Sequence, residues 1–299
     1  MDDSRRFLDP KVLDKIAGLE IKARLMVEGY LAGQQRSPKK GSSAEFLEHR
    51  EYVPGDDPRF LDWKVFAKSD RFYIKQYEEE TNLKAYLILD TSKSMAFASE
   101  GSVSKLDYAR YIAAGLTYLV SQQRDAVALV LWDKALRKFL PPGTSALHFK
   151  NVYTELENAK PDGTTDLAKL LLELAERIRR KSLIVVFSDL LDSNADGVLA
   201  GLRLIRRKGH DVVVFHVLDD AELNFPYERM TLFEGLEVED KLLADPKALR
   251  EAYLAEIQAF VHNVKAGCIS NQMDYVPTNT KANLGVALSS YLAARMSTS

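Results

Sequence analysis

Three short segments carry the oxygen-bearing side chains that could do chemistry. The first is Asp90-Thr-Ser92-Lys-Ser94, which follows the apolar run Ala85 to Leu89. One carboxylate with hydroxyls at alternate positions suits Mg²⁺ or Mn²⁺, because a hard cation takes oxygen ligands and Mg²⁺ sites use only one or two carboxylates beside several waters. The second is the loop Gly163-Thr164-Thr165-Asp166, which opens an apolar helical stretch. The third is Ser188-Asp189, which closes the run Leu183-Ile-Val-Val-Phe187. Each segment also has an ordinary explanation: Asp90 with its serines forms a turn and a helix cap, Thr165 caps the helix beginning at Asp166, and Asp189 caps a turn. The first and third fall where open α/β sheets present ligands, at the carboxyl ends of strands. Taken together, the three placements follow from the strand order of one fold.

The elements that must position these residues follow from periodicity. Near-continuous apolar runs over residues 84–90, 126–132, 182–189 and 211–218 predict strands buried on both faces, as in a parallel sheet. A reversal at Asp133-Lys134 predicts that 135–140 returns as an antiparallel edge strand. Ser104-Lys-Leu-Asp107 has the form of a capping box and opens a helix to about Gln122. Further helices are expected over 146–158, 167–180, 195–208, 248–264 and 283–295, with a short last strand over 273–276. Residues 219–239 read as an irregular excursion with a hairpin near Glu234-Gly235. This alternation predicts an α/β fold with a doubly wound, mostly parallel sheet over residues 82–299.

Residues 1–81 read as a separate N-terminal part. An amphipathic helix is expected from Pro10 to Leu31, and a small β-rich unit over 44–81 turns at Pro54-Gly-Asp-Asp-Pro58. That unit is dense in charge and aromatics (Arg50, Asp57, Arg59, Asp62, Trp63). Structural ion pairs account for such a set, and so does a binding surface.

Composition narrows the function. The chain has 299 residues, a formal net charge of -2 and 28% charged side chains, which gives no global reason to expect nucleic acid or an anionic membrane as partner. A single cysteine, Cys268, excludes an internal disulfide framework and fits a reducing compartment. With no leader-like N-terminus and no apolar run long enough to span a bilayer, a cytoplasmic protein without membrane insertion is expected. No phosphate-binding glycine loop, zinc-protease helix or Ser-His-Asp arrangement assembles, and His49, His148, His210, His216 and His262 are scattered. The expectation is a protein that is not an enzyme. The alternative is a metal-dependent phosphotransfer or hydrolytic enzyme using Asp90, although the second aspartate that aspartyl phosphotransferases usually place two residues on is here Ser92.

The set resembles the von Willebrand factor A domain, whose metal-ion-dependent adhesion site runs Asp-x-Ser-x-Ser, then a Thr in a glycine-led loop, then an Asp after a later strand. The resemblance implies a Rossmann-type fold and a metal set of Asp90, Ser92, Ser94, Thr165 and Asp189, with the hydroxyls nearest the ion and the carboxylates helping through water. Thr164 stands where a second glycine is common, which leaves Thr164 as the other choice in that loop. Upstream, Gly41-x-x-x-Glu45-Phe, Arg50-x-Tyr52-x-Pro-Gly-Asp-Asp57-x-Arg59-x-x-Asp62-Trp63 and Tyr77-Glu-Glu are similar to the bacterial family called domain of unknown function fifty-eight (DUF58). So is Leu218-Asp-Asp-Ala-Glu-Leu-Asn-Phe-Pro226; Ser43 departs from the pattern, standing where glycine is expected. Members of that family are often encoded beside MoxR-type AAA+ ATPases. The resemblance therefore implies an adaptor or co-chaperone that binds such an ATPase through a carboxylate bridged by the metal.

Overall fold

The computed structural model describes residues 3–34, 48–51, 73–76, 83–192, 194–236 and 241–289. Two compact units result, one formed by residues 1–35 with 83–299 and the other by residues 36–82. This division differs from the expected break after residue 81, because the N-terminal helices share the core of the larger unit. In the smaller unit, β1 (Glu48–Glu51) pairs antiparallel with β2 (Tyr73–Gln76). The turn at Pro54–Pro58, with Arg59 and Trp63, lies outside the described residues.

The larger unit is built on a six-stranded sheet. Its strands are β3 (Lys84–Asp90), β4 (Ala126–Trp132), β5 (Leu136–Gly143), β6 (Leu183–Ser188), β7 (Asp211–Leu218) and, last in the chain, β10 (Asp274–Asn279). They lie in the order β10-β7-β6-β3-β4-β5, and all pairs are parallel except β4 with β5. The chain runs from β3 outward to β4 and β5, then crosses back to lay β6 on the other side of β3. That reversal opens the crevice where such sheets bind ligands, between the carboxyl ends of β3 and β6. Asp90 and Asp189 stand at those two ends.

Strand β3 is buried along nearly its whole length because helices cover both faces. Ala85, Leu87 and Leu89 face one core and Tyr86 and Ile88 the other. On the first face lie α3 (Lys105–Gln122) and α4 (Ala146–Asn158), together with α1 (Pro10–Asp14), α2 (Leu19–Gln34) and the helical residues 284–289. On the second lie α5 (Leu167–Arg177), α6 (Ala195–Arg207) and α8 (Pro246–Ser270). Among the described residues no helix is long and apolar enough to cross a membrane.

Several expected elements change shape. The helix expected over 10–31 is broken in two by Gly18, whose φ of +81° no helical residue adopts. Its second half, α2, buries Leu19, Ala23, Met26 and Val27, and the Met26 methyl occupies the space that a Cβ on Gly115 of α3 would need. Helix α5 stops at Arg177, short of the expected Arg180, and α8 runs six residues beyond the expected Val264. The 219–239 excursion contains a short helix, α7 (Asp220–Asn224), and the hairpin of β8 (Thr231–Glu234) with β9 (Lys241–Ala244).

Helices α5 and α6 approach closely at Gly201, where an added Cβ would stand 2.7 Å from the Leu171 Cβ. Because α5 carries the Thr165 loop at its start, this contact helps set where that loop lies. Gly201→Ala is expected to lower stability by about 1–3 kcal/mol through overpacking, read as a shifted midpoint in urea; an unchanged midpoint would contradict the close approach. Cys268 lies on the buried face of α8 with no exposed surface, and burial pushes its thiol up to about 11. At pH 8 an aromatic disulfide reagent should therefore label it only as fast as the protein unfolds, and rapid labelling of the native protein would show that α8 does not cover the sheet.

Candidate metal centre

Asp90 reaches the crevice because β3 ends there, and its carboxylate is only 2% exposed. One oxygen accepts from the Ser92 amide at 2.9 Å and the other from the Ser188 hydroxyl at 2.6 Å. Both donors are neutral. The Ser92 and Ser94 hydroxyls lie 3.0 Å apart, on a short turn that continues as the 3₁₀ helix Lys93–Ala96. Asp189, fully buried, accepts from the Leu191 amide at 3.1 Å. A hydrogen bond from Ser94 also favours its charged form. Four of the five expected residues therefore form one continuous cluster of hydroxyls and carboxylates.

Thr165 arrives on a separate loop, and backbone bonds fasten that loop to the others. The Lys93 amide donates to the Gly163 carbonyl at 3.0 Å and the Asp162 amide to the Thr91 carbonyl at 2.8 Å. From β4, the Trp132 indole donates to the Asp166 carbonyl at 3.0 Å. The Leu167 amide donates to Asp192 at 2.8 Å, which joins the start of α5 to the loop after Asp189. Gly163 makes the turn with a φ of +66°, and an added Cβ there would meet the Asp133 carboxylate. Within this loop Thr164 is exposed. The Thr165 hydroxyl is buried and has no hydrogen-bond partner among the described residues.

The charges are uneven. Burial, and after it the charge of Asp189, pushes the Asp90 carboxyl up to about 7. Burial acts on Asp189 in the same direction, but the ammonium of Lys105 at 2.7 Å outweighs it and holds Asp189 below the usual range. That lysine is itself wholly buried, and its second partner is Glu222 at 2.6 Å. Two carboxylates thus stand at the ends of adjacent strands, one neutralised by a built-in cation and the other supported, among the described residues, by dipoles.

Several residues of this arrangement escape a reading of the sequence. Ser188 and Asp192 belong to a segment noted only for Asp189. Lys105 lies inside the Ser104–Asp107 cap, of which one half of the expected box forms: the Asp107 amide donates to the Ser104 hydroxyl at 3.0 Å, while the Asp107 carboxylate accepts from that hydroxyl at 2.6 Å rather than from the Ser104 amide. A signal was nonetheless present, since a lysine in the first turn opposes the helix dipole. His216 on β7 explains itself only in three dimensions. Its Nε2 faces the Asp189 carbonyl at 2.9 Å and must donate, so Nδ1 accepts from the Tyr275 hydroxyl at 2.8 Å. Burial pushes this imidazole down to about 4, which keeps it neutral.

Leu190 is also unusual. It is a non-glycine residue in the left-handed region, with φ of +56°, directly after Asp189. Such a conformation costs about 1–2 kcal/mol and is found where surrounding structure forces it. Here the Leu190 amide donates to the Ser188 hydroxyl at 2.9 Å, while that hydroxyl donates to Asp90. The strained turn therefore serves the carboxylate pair.

Among the described residues no three His, Cys, Asp or Glu side chains converge on a point that could hold a metal. The donors here are instead three hydroxyls and two carboxylates. That set matches the ligand chemistry of Mg²⁺ and Mn²⁺ rather than of softer metals, and the unpartnered Thr165 oxygen is the kind of atom a cation would satisfy.

Comparison with known proteins places this chain among relatives. Uncharacterized proteins of Mycobacterium tuberculosis and Mycobacterium bovis are 28% identical over 223 residues, which is 73% of this chain and 68% of theirs. Among solved structures, the conserved hypothetical protein BatB from Bacteroides thetaiotaomicron matches 73% of this chain and 100% of its own at 14% identity and a TM-score of 0.47. An aerotolerance-related membrane protein from Bacteroides fragilis matches 72% and 99% at 17% identity and a TM-score of 0.48. The family described as protein of unknown function DUF58 matches residues 48–262. That span is most of the chain, and the protein belongs to the DUF58 family.

Proposed function

We propose that the protein is a non-catalytic binding module in which Asp90, Ser92, Ser94, Thr165 and Asp189 hold Mg²⁺ or Mn²⁺, and that the bound ion captures a carboxylate of a partner protein. The observation that carries this reading is the Thr165 hydroxyl, buried without a hydrogen-bond partner among the described residues on a loop that backbone bonds hold to the Asp90 segment. A buried polar atom left unpaired costs about 1–3 kcal/mol, and a cation beside it repays that cost. Asp90 supports the same reading, because burial next to Asp189 raises its affinity for positive charge.

The same geometry speaks against chemistry at Asp90. A nucleophilic carboxylate needs an oxygen presented to substrate, whereas both oxygens of Asp90 already accept hydrogen bonds and the side chain is buried. When bound, the ion supplies an open coordination position for an incoming oxygen ligand. The protein's own residues do the rest: Ser188 and the Ser92 amide fix the orientation of Asp90, Lys105 and His216 fix Asp189, and Trp132 and Asp192 fix the Thr165 loop. Given the family resemblance, the candidate partner is a MoxR-type AAA+ ATPase, with this protein as its adaptor or co-chaperone.

Divalent ion should stabilise the folded protein by mass action. At ten times the dissociation constant this amounts to about 1.4 kcal/mol, or roughly 2–4 °C in melting temperature. Asp90→Ala should abolish the shift, and a shift of equal size in that variant would move the ion elsewhere. Ser94→Ala and Thr165→Ala should weaken capture of the ATPase at least about tenfold in Mg²⁺ while leaving circular dichroism unchanged. A chelator should weaken the wild type in the same way. Equal capture in Mg²⁺ and in chelator would show that the metal is not the docking point.

A further inference from the structure

Lys105 does more in this cluster than fix Asp189, because its ammonium is shared with a second carboxylate, Glu222. Its side chain has no exposed surface, although it begins a helix whose dipole disfavours a cation there. Three elements enclose the ammonium. Asp189, after β6, lies at 2.7 Å, Glu222 of α7 at 2.6 Å, and the ring of Phe97 at 6.0 Å. Glu222 in turn accepts from the Asp219 amide at 2.7 Å, which completes the capping box of α7. Asp219 accepts from the Thr280 hydroxyl at 2.7 Å and the Ser99 amide at 3.3 Å. One lysine thus joins a carboxylate of the metal site to the end of β7 and the start of α7.

Burying a lysine between two carboxylates is a poor way to gain stability, since apolar side chains of the same volume serve a core as well or better. What it does achieve is charge control. Asp189 and Glu222 both face the one ammonium, and a fixed positive charge beside Asp189 opposes a divalent cation at the same carboxylate.

Resting on the proposed metal site, we propose that Lys105 is a positioning residue that holds the affinity of the site for divalent ions low, by competing for Asp189, and that Glu222 sets how strongly it competes. The two partners pull the ammonium in opposite directions. Without the lysine, Asp189 is free for the ion and the buried carboxylates demand one. Without the charge on Glu222, the ammonium belongs to Asp189 alone.

Opposite outcomes in two variants therefore test the idea. Mn²⁺ binding to the full chain would be measured from the free-ion paramagnetic resonance signal, with melting temperature recorded in parallel. Lys105→Met should bind Mn²⁺ at least about tenfold more tightly than wild type and become more dependent on it for thermal stability. Glu222→Gln should bind several times more weakly. If Lys105→Met does not fold, the weakening in Glu222→Gln decides alone. Affinities equal to wild type in the folded variants, or weaker binding in Lys105→Met, would overturn the role of Lys105 and leave the metal site standing. No Mn²⁺ binding in any of the three proteins would overturn the metal site itself.

Discussion

Two carboxylates withdrawn from water at the ends of adjacent strands demand positive charge, and the rest of the site is arranged around that demand. Parallel strands β3 and β6 are covered on both faces, so the residues that end them, Asp90 and Asp189, are delivered into the crevice at 2% and 0% exposure. A lone buried carboxylate would take a proton, and Asp90 is pushed in that direction. Asp189 is kept charged by Lys105. The asymmetry leaves one carboxylate for which the described residues offer dipoles and no cation, next to hydroxyls whose chemistry suits a hard ion.

Holding such a site together is a task for the loops, because strands end before the ligands begin. Each of the three loops is bonded to another through main-chain groups or through a side chain that accepts from a main-chain amide. Lys93 and Thr91 meet Gly163 and Asp162, Asp192 meets Leu167, and Ser188 bridges Asp90 to the Leu190 amide. Main-chain amides survive every substitution except proline, so most single changes to side chains in these loops leave the framework standing. Gly163 is an exception, since its φ of +66° is one that residues with a Cβ rarely adopt. The close approach of α5 to α6 at Gly201 fixes the loop from below.

Much of this was legible in the sequence because buried parallel strands write themselves as apolar runs. The runs ending at Asp90 and Ser188, the reversal at Asp133-Lys134 and the Ser104 cap all appear where periodicity and turn chemistry place them. The break between α1 and α2 was hidden, since Leu13, Ile16, Leu19 and Met26 keep apolar positions on both sides of it, while the first helix stops at Asp14 and Gly18 turns the chain with a positive φ. Helix α7 was hidden because a five-residue helix is shorter than two turns and shows no period. Lys105 and Ser188 were hidden for a different reason. Their roles depend on partners 117 and 98 residues away, and local spacing carries no record of such contacts.

Anomalous diffraction from crystals grown with Mn²⁺ tests most directly whether the crevice between β3 and β6 holds a cation. The prediction is a single strong peak within coordination distance of the Ser92, Ser94 and Thr165 hydroxyls, with the Lys105 ammonium still on Glu222. No peak at those three oxygens, or a Thr165 hydroxyl turned to bond a neighbouring protein group, would contradict it.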